Sequence, residues 1–304
     1  MDGIINVYKE AGFTSHDVVA KLRGICRQKK IGHTGTLDPQ ATGVLPVCLG
    51  SATRACEMLT DRTKEYVAEL LLGKITDTQD TTGTVLEERE VAVDEAQVRE
   101  VIGSFVGGYD QIPPMYSALK VNGKKLYELA RAGKEVERQA RHVDLPAIEI
   151  LEIRLPVVKF RVECSKGTYI RSLCADIGGK LGCGGTMQSL VRTRVGEFRL
   201  TDALTLTQLQ ELRDTGRLEE ALLPTDRIFA DFNAVHVEEK WRKLIDNGNA
   251  FYPGQTMEQT TYPVGEWVRV YREDDSFVGI YAYDGAKEWY KPVKIFPSNT
   301  ESRK

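Results

Sequence analysis

The chain has 304 residues and a mass of 34.0 kDa, which suits about two domains. Hydrophobic residues make up 41% of it and charged residues 28%, as is typical of a folded globular protein with a sizeable core. No apolar run approaches the ~18 residues of a membrane-spanning helix, and the N-terminus lacks a basic segment followed by an apolar stretch. These features argue against secretion and membrane insertion, and they predict a cytoplasmic protein.

The cysteines and histidines do not form a recognisable cluster in the sequence. Six cysteines are spread along the chain without a CxxC pair, and the four histidines stand far apart. This spacing favours reduced, mostly buried thiols over a disulfide framework or a zinc site. The expectation is therefore a protein without a bound metal, and no dinucleotide fingerprint points to a cofactor.

Charge is distributed unevenly, although the net charge is only −3. Three stretches are net positive: residues 1–54 by +3, residues 120–142 by +4 and residues 159–199 by +5. Residues 55–119 carry a net −8. Each basic stretch alone is typical of a solvated face. Three of them predict a positive surface for an anionic partner, if the fold brings them together.

A helix is predicted over residues 15–26, with Ser15 as its N-cap. Apolar residues from Val18 to Cys26 recur at the i, i+3/i+4, i+7 spacing of one helix face. The next segment, Gly32–Gly50, contains four glycines and two prolines. So many glycines and prolines disfavour a long regular element and predict a structured loop.

Two segments further along have the patterns of strands. Tyr66–Leu72 is a short apolar run, and Val158–Cys164 alternates apolar with polar residues as a half-buried strand does. The second strand leads through Gly167 into a predicted helix that ends at Gly182. A further helix is predicted over Lys125–Ala132.

The pattern changes near residue 230. Trp267–Tyr271 and Phe277–Tyr283 are alternating runs joined by a five-residue polar turn, which predicts a hairpin within a small all-β, barrel-like unit. In the preceding 230 residues helices and strands interleave irregularly, which favours an α+β fold over a doubly wound sheet. The predicted domains are residues 1–230 and 235–304.

The Gly32–Gly50 loop is the densest candidate for a site. A phosphate-binding P-loop needs a lysine, and none lies within this segment. Its ionisable groups are Asp38 and His33, and the proline after Asp38 biases that residue toward an extended backbone. A turn-capping aspartate is the other interpretation, because Asp-Pro is common in turns. The loop alone leaves both interpretations open.

Four motifs occur in a fixed order along the chain. They are Gly-His-Thr-Gly-Thr-Leu-Asp-Pro-x-Ala-Thr-Gly-Val-Leu-Pro at 32–46, Lys64-Glu65-Tyr66, the run from Pro113 to Lys120, and the run from Ser165 to Leu173. Together they resemble the bacterial TruB family of tRNA pseudouridine synthases over about residues 3–230. The tail resembles the small PUA-type RNA-binding domain that often follows. Two departures from the family pattern stand at Glu10 and Val191.

The resemblance implies a pseudouridine synthase fold with a mixed, mainly antiparallel sheet. It also implies isomerisation of uridine 55 in the TΨC arm of tRNA, without metal or cofactor. The implied catalytic residues are Asp38 as nucleophile, Tyr66 and Arg171, and the implied substrate-binding residues are His33, Tyr66, Tyr169 and Leu190. His33 would occupy the gap left by the flipped base, since stacking of ~1–3 kcal/mol offsets much of the cost of unstacking.

The partner implied is the TΨC stem-loop of tRNA, bound by a monomer. Phosphate contacts are expected from Lys120, Lys124, Lys125 and Arg131, which would add affinity but little sequence information. A non-catalytic tRNA-binding or tRNA-folding module is the main alternative. A nucleotide-binding enzyme using the glycine-rich loop is disfavoured by the missing lysine.

Arg171 is predicted in the first turn of its helix, where the helix dipole disfavours a cation by ~0.3–1 kcal/mol. It also lies off the apolar face of that helix, so core packing does not explain it. A cation at such a place suggests an anionic partner, and in the family the matching arginine pairs with the catalytic aspartate. We therefore expect an Arg171–Asp38 ion pair that lowers the pKa of Asp38. A solvated surface arginine is the alternative.

Overall fold

The computed structural model describes residues 1–121 and 123–297. Its α-helices are α1 (Ser15–Ile25), α2 (Cys56–Thr60), α3 (Glu95–Gly103), α4 (Leu126–Arg131), α5 (Ile170–Lys180), α6 (Leu206–Asp214) and α7 (Arg242–Asp246). Its strands are β1 (Gly3–Lys9), β2 (Ile31–His33), β3 (Thr42–Leu49), β4 (Lys64–Leu72), β5 (Lys74–Thr76), β6 (Val85–Glu88), β7 (Tyr109–Gln111), β8 (Lys120–Val121), β9 (Lys124–Lys125), β10 (Arg141–Val143), β11 (Ala147–Arg154), β12 (Val157–Cys164), β13 (Gly185–Val195), β14 (Phe198–Arg199), β15 (Asn233–Val237), β16 (Trp267–Arg272), β17 (Phe277–Asp284) and β18 (Trp289–Ile295). No described helix is long and apolar enough to cross a membrane.

An eight-stranded sheet forms the centre of the fold. Its strands follow the order β1-β3-β13-β4-β12-β11, with β2 added to β3 and β14 to β13. Every neighbouring pair is antiparallel except β3 and β13, which run parallel. The predicted α+β fold with a mixed, mainly antiparallel sheet is confirmed.

The strand predictions at 66–72 and 158–164 are confirmed by β4 and β12, which lie side by side. Every second residue of each strand is buried, as a period of two requires. Their inward side chains pack against the apolar face of α5, which buries Ile170, Leu173 and Ile177. Each such fully buried side chain stabilises the fold by roughly 1.5–3 kcal/mol.

Two local predictions were wrong. Residues 42–49, expected within a loop, form strand β3, whose residues from Gly43 onward are all buried. Because β3 is buried on both faces, its sequence lacks the alternation of apolar and polar residues that identifies a half-buried strand. The glycines and prolines of the segment therefore led to the prediction of a loop. The N-cap of α1 is Thr14, whose hydroxyl accepts from the backbone of Asp17. Ser15 is instead buried and bonds to the loop beyond β2.

The tail forms its own four-stranded sheet in the order β15-β16-β17-β18. The predicted hairpin is confirmed as β16 and β17, which pair antiparallel. This sheet does not stand apart, because Ile280 and Phe296 share a core cluster with Ile4, Val44 and Phe198 of the first part of the chain. Residues 298–304 of the predicted tail domain lie outside the described residues.

Candidate active site

The loop between β2 and β3 carries Asp38 and is held by its neighbours on both sides. The backbone N–H of Leu37 donates to the Ser15 hydroxyl at 2.9 Å. Leu37 and Ala41 are both buried in the core. The two buried anchors fix the loop backbone, so that Asp38 is presented from a rigid turn rather than from a mobile one.

Lys9, at the end of β1, closes the base of this loop. Its side chain is completely buried, and Nζ donates to the carbonyls of Phe13 at 2.6 Å, Pro39 at 3.0 Å and Glu10 at 3.1 Å. Burial lowers the pKa of Lys9 to about 8, and the charge of Asp38 opposes this shift. Because Glu10 contributes only its backbone carbonyl, this contact does not depend on the side chain that departs from the family pattern.

Arg171 binds Asp38 in a bidentate manner. Nε of Arg171 lies 2.9 Å from Oδ2 of Asp38, and Nη2 donates to Oδ1 at 3.2 Å. The Arg171 side chain is 6% exposed and that of Asp38 is 37% exposed. Two parallel bonds of this kind fix the plane of a carboxylate as well as its position. The predicted ion pair is confirmed, and a solvated arginine is excluded.

The remaining donors of Arg171 bind two other segments. Nη1 donates to the carbonyl of Thr78 at 3.1 Å and Nη2 to that of Tyr116 at 2.8 Å. Asp80 provides a second carboxylate, whose Oδ2 lies 3.9 Å from Nη1. The hydroxyls of Thr78 and Thr82 bind Asp80 at 2.8 and 2.5 Å. Sequence analysis did not identify Asp80.

The pKa of Asp38 is raised above its ordinary value, against the expectation from the sequence. Burial is the largest cause, and the neighbouring charge of Asp80 adds to it. Arg171 does lower the pKa of Asp38, as expected, but less than burial raises it. The arginine therefore limits the cost of keeping a half-buried carboxylate ionised rather than making Asp38 unusually acidic.

Tyr66 and Leu190 belong to the core cluster that includes Leu37, the residue before Asp38. Both are 8% exposed. Burial raises the pKa of Tyr66, while interaction of its hydroxyl with Arg192 lowers it, and the charge of Asp38 acts on the same hydroxyl. The phenol is thus neutral and within electrostatic range of the Asp38 carboxylate.

Tyr169 stands at the start of α5, immediately before the helix that carries Arg171. Its backbone is clamped by Gln111, which accepts from the N–H at 2.8 Å and donates to the carbonyl at 3.0 Å. The phenol is half-buried, and burial raises its pKa. The charges of Asp38 and Arg171 also act on the Tyr169 hydroxyl, so it lies within electrostatic range of both groups.

His33 lies at the end of β2, at the entrance to the loop. The N–H of Gly35 donates to Nδ1 of His33 at 3.3 Å, and the ring of His16 meets it edge-on with centroids 5.9 Å apart. Burial lowers the pKa of His33, and His16 and Arg192 lower it further. The imidazole is therefore neutral near pH 7 and half-buried, a state suited to stacking on a base.

A basic hairpin, defined here as residues 120–121 and 123–131, lies next to the segment that binds Arg171. Its cations are Lys120, Lys124, Lys125 and Arg131, all exposed or half-exposed. Tyr127 anchors it, since its N–H donates to the Ser117 carbonyl at 3.1 Å, next to the Tyr116 carbonyl that binds Arg171. The Lys125 and Arg131 charges lie 5.4 and 5.5 Å from the centroid of the Tyr127 ring. These cations therefore stand at the edge of the site.

The arrangement supports one kind of chemistry. A partly exposed carboxylate, oriented by a buried guanidinium, can attack an electron-poor carbon or stabilise positive charge at a ribose carbon. Within residues 1–121 and 123–297, no group of three or more His, Cys, Asp or Glu side chains is placed to hold a metal ion.

Chains of solved complexes share this fold. A chain of an H/ACA ribonucleoprotein bound to a substrate RNA containing 2′-deoxyuridine matches with a TM-score of 0.74 and 27% identity, covering 98% of this chain and 86% of that chain. A chain of a Cbf5–Nop10–Gar1 complex matches with a TM-score of 0.73 and 29% identity over 97% and 85%. The similarity extends over both sheets.

Matches to family models and to curated relatives identify the protein family. A model described as TruB family pseudouridylate synthase, N-terminal domain, matches residues 23–170, and one described as tRNA pseudouridylate synthase B C-terminal domain matches residues 171–230. The chain is thus a pseudouridylate synthase by its fold and family. Proteins named tRNA pseudouridine synthase B are 53% identical in Lachnoclostridium phytofermentans, over 97% of this chain and 100% of the relative, and 40% identical in Bacillus cytotoxicus, over 99% of both. The chain belongs to the TruB family.

Proposed function

We propose that this protein isomerises uridine 55 in the TΨC arm of tRNA to pseudouridine, with Asp38 as the nucleophile. The bidentate Arg171–Asp38 pair carries this proposal, because it holds a partly exposed carboxylate in a fixed orientation. The relatives named tRNA pseudouridine synthase B support the substrate. The protein acts as a cytoplasmic monomer on one T stem-loop.

The reaction conserves all atoms of the nucleoside. The bond between ribose C1′ and N1 of uracil breaks, the base turns over, a bond forms between C1′ and C5, and the proton on C5 is lost as N1 gains one. No oxidant or hydrolytic water enters the balance. Asp38 attacks either the ribose carbon or the base, and a single carboxylate can serve both routes.

The other predicted site residues act on the uridine or on the RNA stack around it. Tyr66 lies against the flipped base and moves a proton, while Tyr169 and Leu190 line the uridine pocket. His33 occupies the vacated position in the RNA stack, which its neutral, half-buried ring suits. Base flipping costs a few kcal/mol, so the stacking of the His33 ring in place of the flipped base lowers the free energy of the productive complex.

RNA affinity comes from surfaces around the pocket. Lys120, Lys124, Lys125 and Arg131 of the basic hairpin bind phosphates. We assign residues 1–230 to catalysis and residues 235–304 to a PUA-like unit that assists tRNA binding. The shared core between Ile280, Phe296 and the catalytic part supports a fixed rather than a tethered arrangement.

The direct test is incubation of unmodified tRNA transcript with the pure protein, followed by nucleoside analysis. Pseudouridine at position 55 is expected from wild type and from Asp110→Asn, a control aspartate whose side chain is 74% exposed. Asp38→Asn should bind tRNA and form no product, since it is almost isosteric but lacks the nucleophilic oxygen. Binding by wild type without product would instead favour a tRNA-binding or tRNA-folding module. Turnover by Asp38→Asn within tenfold of wild type would exclude Asp38 as nucleophile.

A further inference from the structure

Gln111 is a buried amide to which the proposed mechanism gives no role. It is the last residue of β7, and only 1% of it is exposed. A buried amide is costly unless its donors and its acceptor are bonded, so its partners should show what it does. The amide makes three hydrogen bonds to described residues, and two of them go to the backbone of Tyr169.

Tyr169 is the residue at which α5 begins, and it is held differently from the first residues of other helices. Three helices start at residues whose own side chains accept from the backbone of the first turn: Thr14, Asp94 and Thr205. The side chain of Tyr169 makes no such bond within the described residues. Instead, Oε1 of Gln111 accepts from the Tyr169 N–H at 2.8 Å, and Nε2 donates to the Tyr169 carbonyl at 3.0 Å. That carbonyl also accepts the first helical bond, from the N–H of Leu173 at 3.0 Å, so Gln111 fixes the start of α5 from outside the helix.

Tyr109, two residues before Gln111, fixes the orientation of the amide. Nε2 of Gln111 donates to the Tyr109 hydroxyl oxygen at 2.6 Å, and this hydroxyl donates its own proton to Oδ2 of Asp176 on α5 at 2.8 Å. The Tyr109 ring packs edge-on against Phe105, with centroids 4.9 Å apart. A backbone N–H can only donate and a carbonyl can only accept, so the amide of Gln111 has a single orientation that satisfies all of its partners.

Arg171 does not depend on Gln111 in the same way. Its guanidinium is held separately by Asp38 and by two backbone carbonyls. The direction of the Tyr169 ring, by contrast, follows from the backbone that Gln111 holds, because the backbone angles of a residue restrict its rotamers. Loss of the Gln111 amide should therefore displace the ring of Tyr169 more than the guanidinium of Arg171.

We propose that Gln111 is a positioning residue for Tyr169: by holding the N–H and the carbonyl of this residue, it fixes the direction of the tyrosine ring that lines the uridine pocket. This inference rests on the proposed isomerase function. Gln111 pairs with Arg141 where β7 and β10 enclose the segment that carries the basic hairpin. One amide thus joins the root of that segment to the start of α5.

A double-mutant cycle separates this role from a purely structural one. Gln111→Met has nearly the same size and removes all three bonds, so the single-turnover rate at saturating tRNA should fall at least tenfold through misplacement of the ring. The Kd for tRNA should change less than threefold, since contacts to phosphates remain. In a Tyr169→Ala background Gln111→Met should change the rate less than threefold, because the positioned ring is already absent. An equal fold-loss in both backgrounds would overturn the proposal.

Two further variants test whether the effect is specific. Tyr109→Phe leaves Gln111 in place but removes one of its acceptors, so it should lower the rate less than Gln111→Met does. The matched control is Asn6→Ala, which alters another buried amide, 5% exposed and donating to the Arg199 carbonyl at 2.9 Å. It should lower Tm without changing the single-turnover rate, and a rate loss equal to that of Gln111→Met would overturn the proposal. Inactive wild-type protein on tRNA would count against the proposed function instead.

Hydrogen exchange of the Tyr169 amide gives a measurement that does not depend on turnover. In protein labelled with ¹⁵N-tyrosine, this N–H should exchange at least tenfold faster in Gln111→Met than in wild type, because its acceptor is lost. Its exchange should stay unchanged in Asn6→Ala. Unchanged exchange of the Tyr169 N–H in Gln111→Met would show that Gln111 does not hold this backbone and would overturn the proposal.

Discussion

Arg171 holds Asp38 across 133 residues of sequence, with Nε 2.9 Å from Oδ2 and Nη2 3.2 Å from Oδ1. The same guanidinium donates to the carbonyls of Thr78 and Tyr116. One side chain thus joins the loop between β2 and β3, the turn after β5 and the segment that leads into the basic hairpin. A change at Arg171 should therefore affect the orientation of Asp38 more than the affinity for RNA.

Arg171→Lys should lower the single-turnover rate by roughly 10²-fold, the scale of losing one well-placed donor at a reacting group. Lysine keeps the charge but offers one nitrogen where arginine offers a planar fork, so the carboxylate can rotate. Affinity for tRNA should change less than threefold. The check is a quench-flow or single-turnover assay at saturating enzyme alongside filter binding. A variant that lost only affinity would make Arg171 a phosphate contact.

The acid limb of the pH–rate profile should report the ionisation of Asp38. Burial raises the pKa of Asp38 above its ordinary value of 3.8. The single-turnover rate should therefore fall as pH decreases, and the midpoint of this fall should lie above pH 3.8. Arg171→Met removes the charge that favours the carboxylate and should move this midpoint higher, whereas Arg171→Lys should move it less. Melting of the tRNA in the same buffers controls for loss of RNA structure. A midpoint at or below 3.8 would contradict the prediction.

Alternation of apolar and polar residues predicted β12, and a short apolar run predicted β4. In the structure every second residue of both strands is buried, Tyr66 among them. The alternation fails in β3, which is buried on both faces and contains Gly43 and Pro46. The reason for Gly43 lies in β13, whose carbonyl at Arg192 leaves no room for a Cβ, and no local pattern reveals a contact between residues so distant.

The site was predicted in part. Asp38, Arg171 and Tyr66 could be named because they stand within motifs, and the pairing of Asp38 with Arg171 is confirmed. Asp80 was missed, since its contact with Arg171 joins residues far apart along the chain. The sequence also led to the wrong direction for the pKa shift of Asp38, which is upward. Charge pairing can be inferred from sequence, but the opposing effect of burial depends on the folded surroundings.

Lys9→Met should lower the free energy of unfolding by about 2–4 kcal/mol, because it leaves the carbonyls of Phe13, Pro39 and Glu10 without their donor. The size of this difference should also depend on pH. The pKa of Lys9 is about 8 when folded and near 10.5 when unfolded, so the unfolded state binds more protons in between. The advantage of wild type over Lys9→Met should therefore increase from pH 8 to pH 10.5. Urea unfolding at several pH values measures it, and a constant difference would contradict the assigned pKa.

Substitutions in the basic hairpin should change the salt dependence of tRNA binding rather than the chemistry. Lys124 and Arg131 are exposed and have no carboxylate ion-pair partner among the described residues, so each is free to bind a phosphate. Lys124→Ala and Arg131→Ala should each reduce the slope of log K against log salt by ~0.7–0.9, as expected for one released counterion.

Arg99→Ala is the matched control, because Arg99 is a surface arginine paired with Glu95 on α3, away from the hairpin. Its slope should equal that of wild type. The single-turnover rate at saturating tRNA should stay within threefold of wild type in all three variants, since none of these side chains contacts Asp38. Unchanged slopes in both hairpin variants would show that this surface does not bind the RNA backbone.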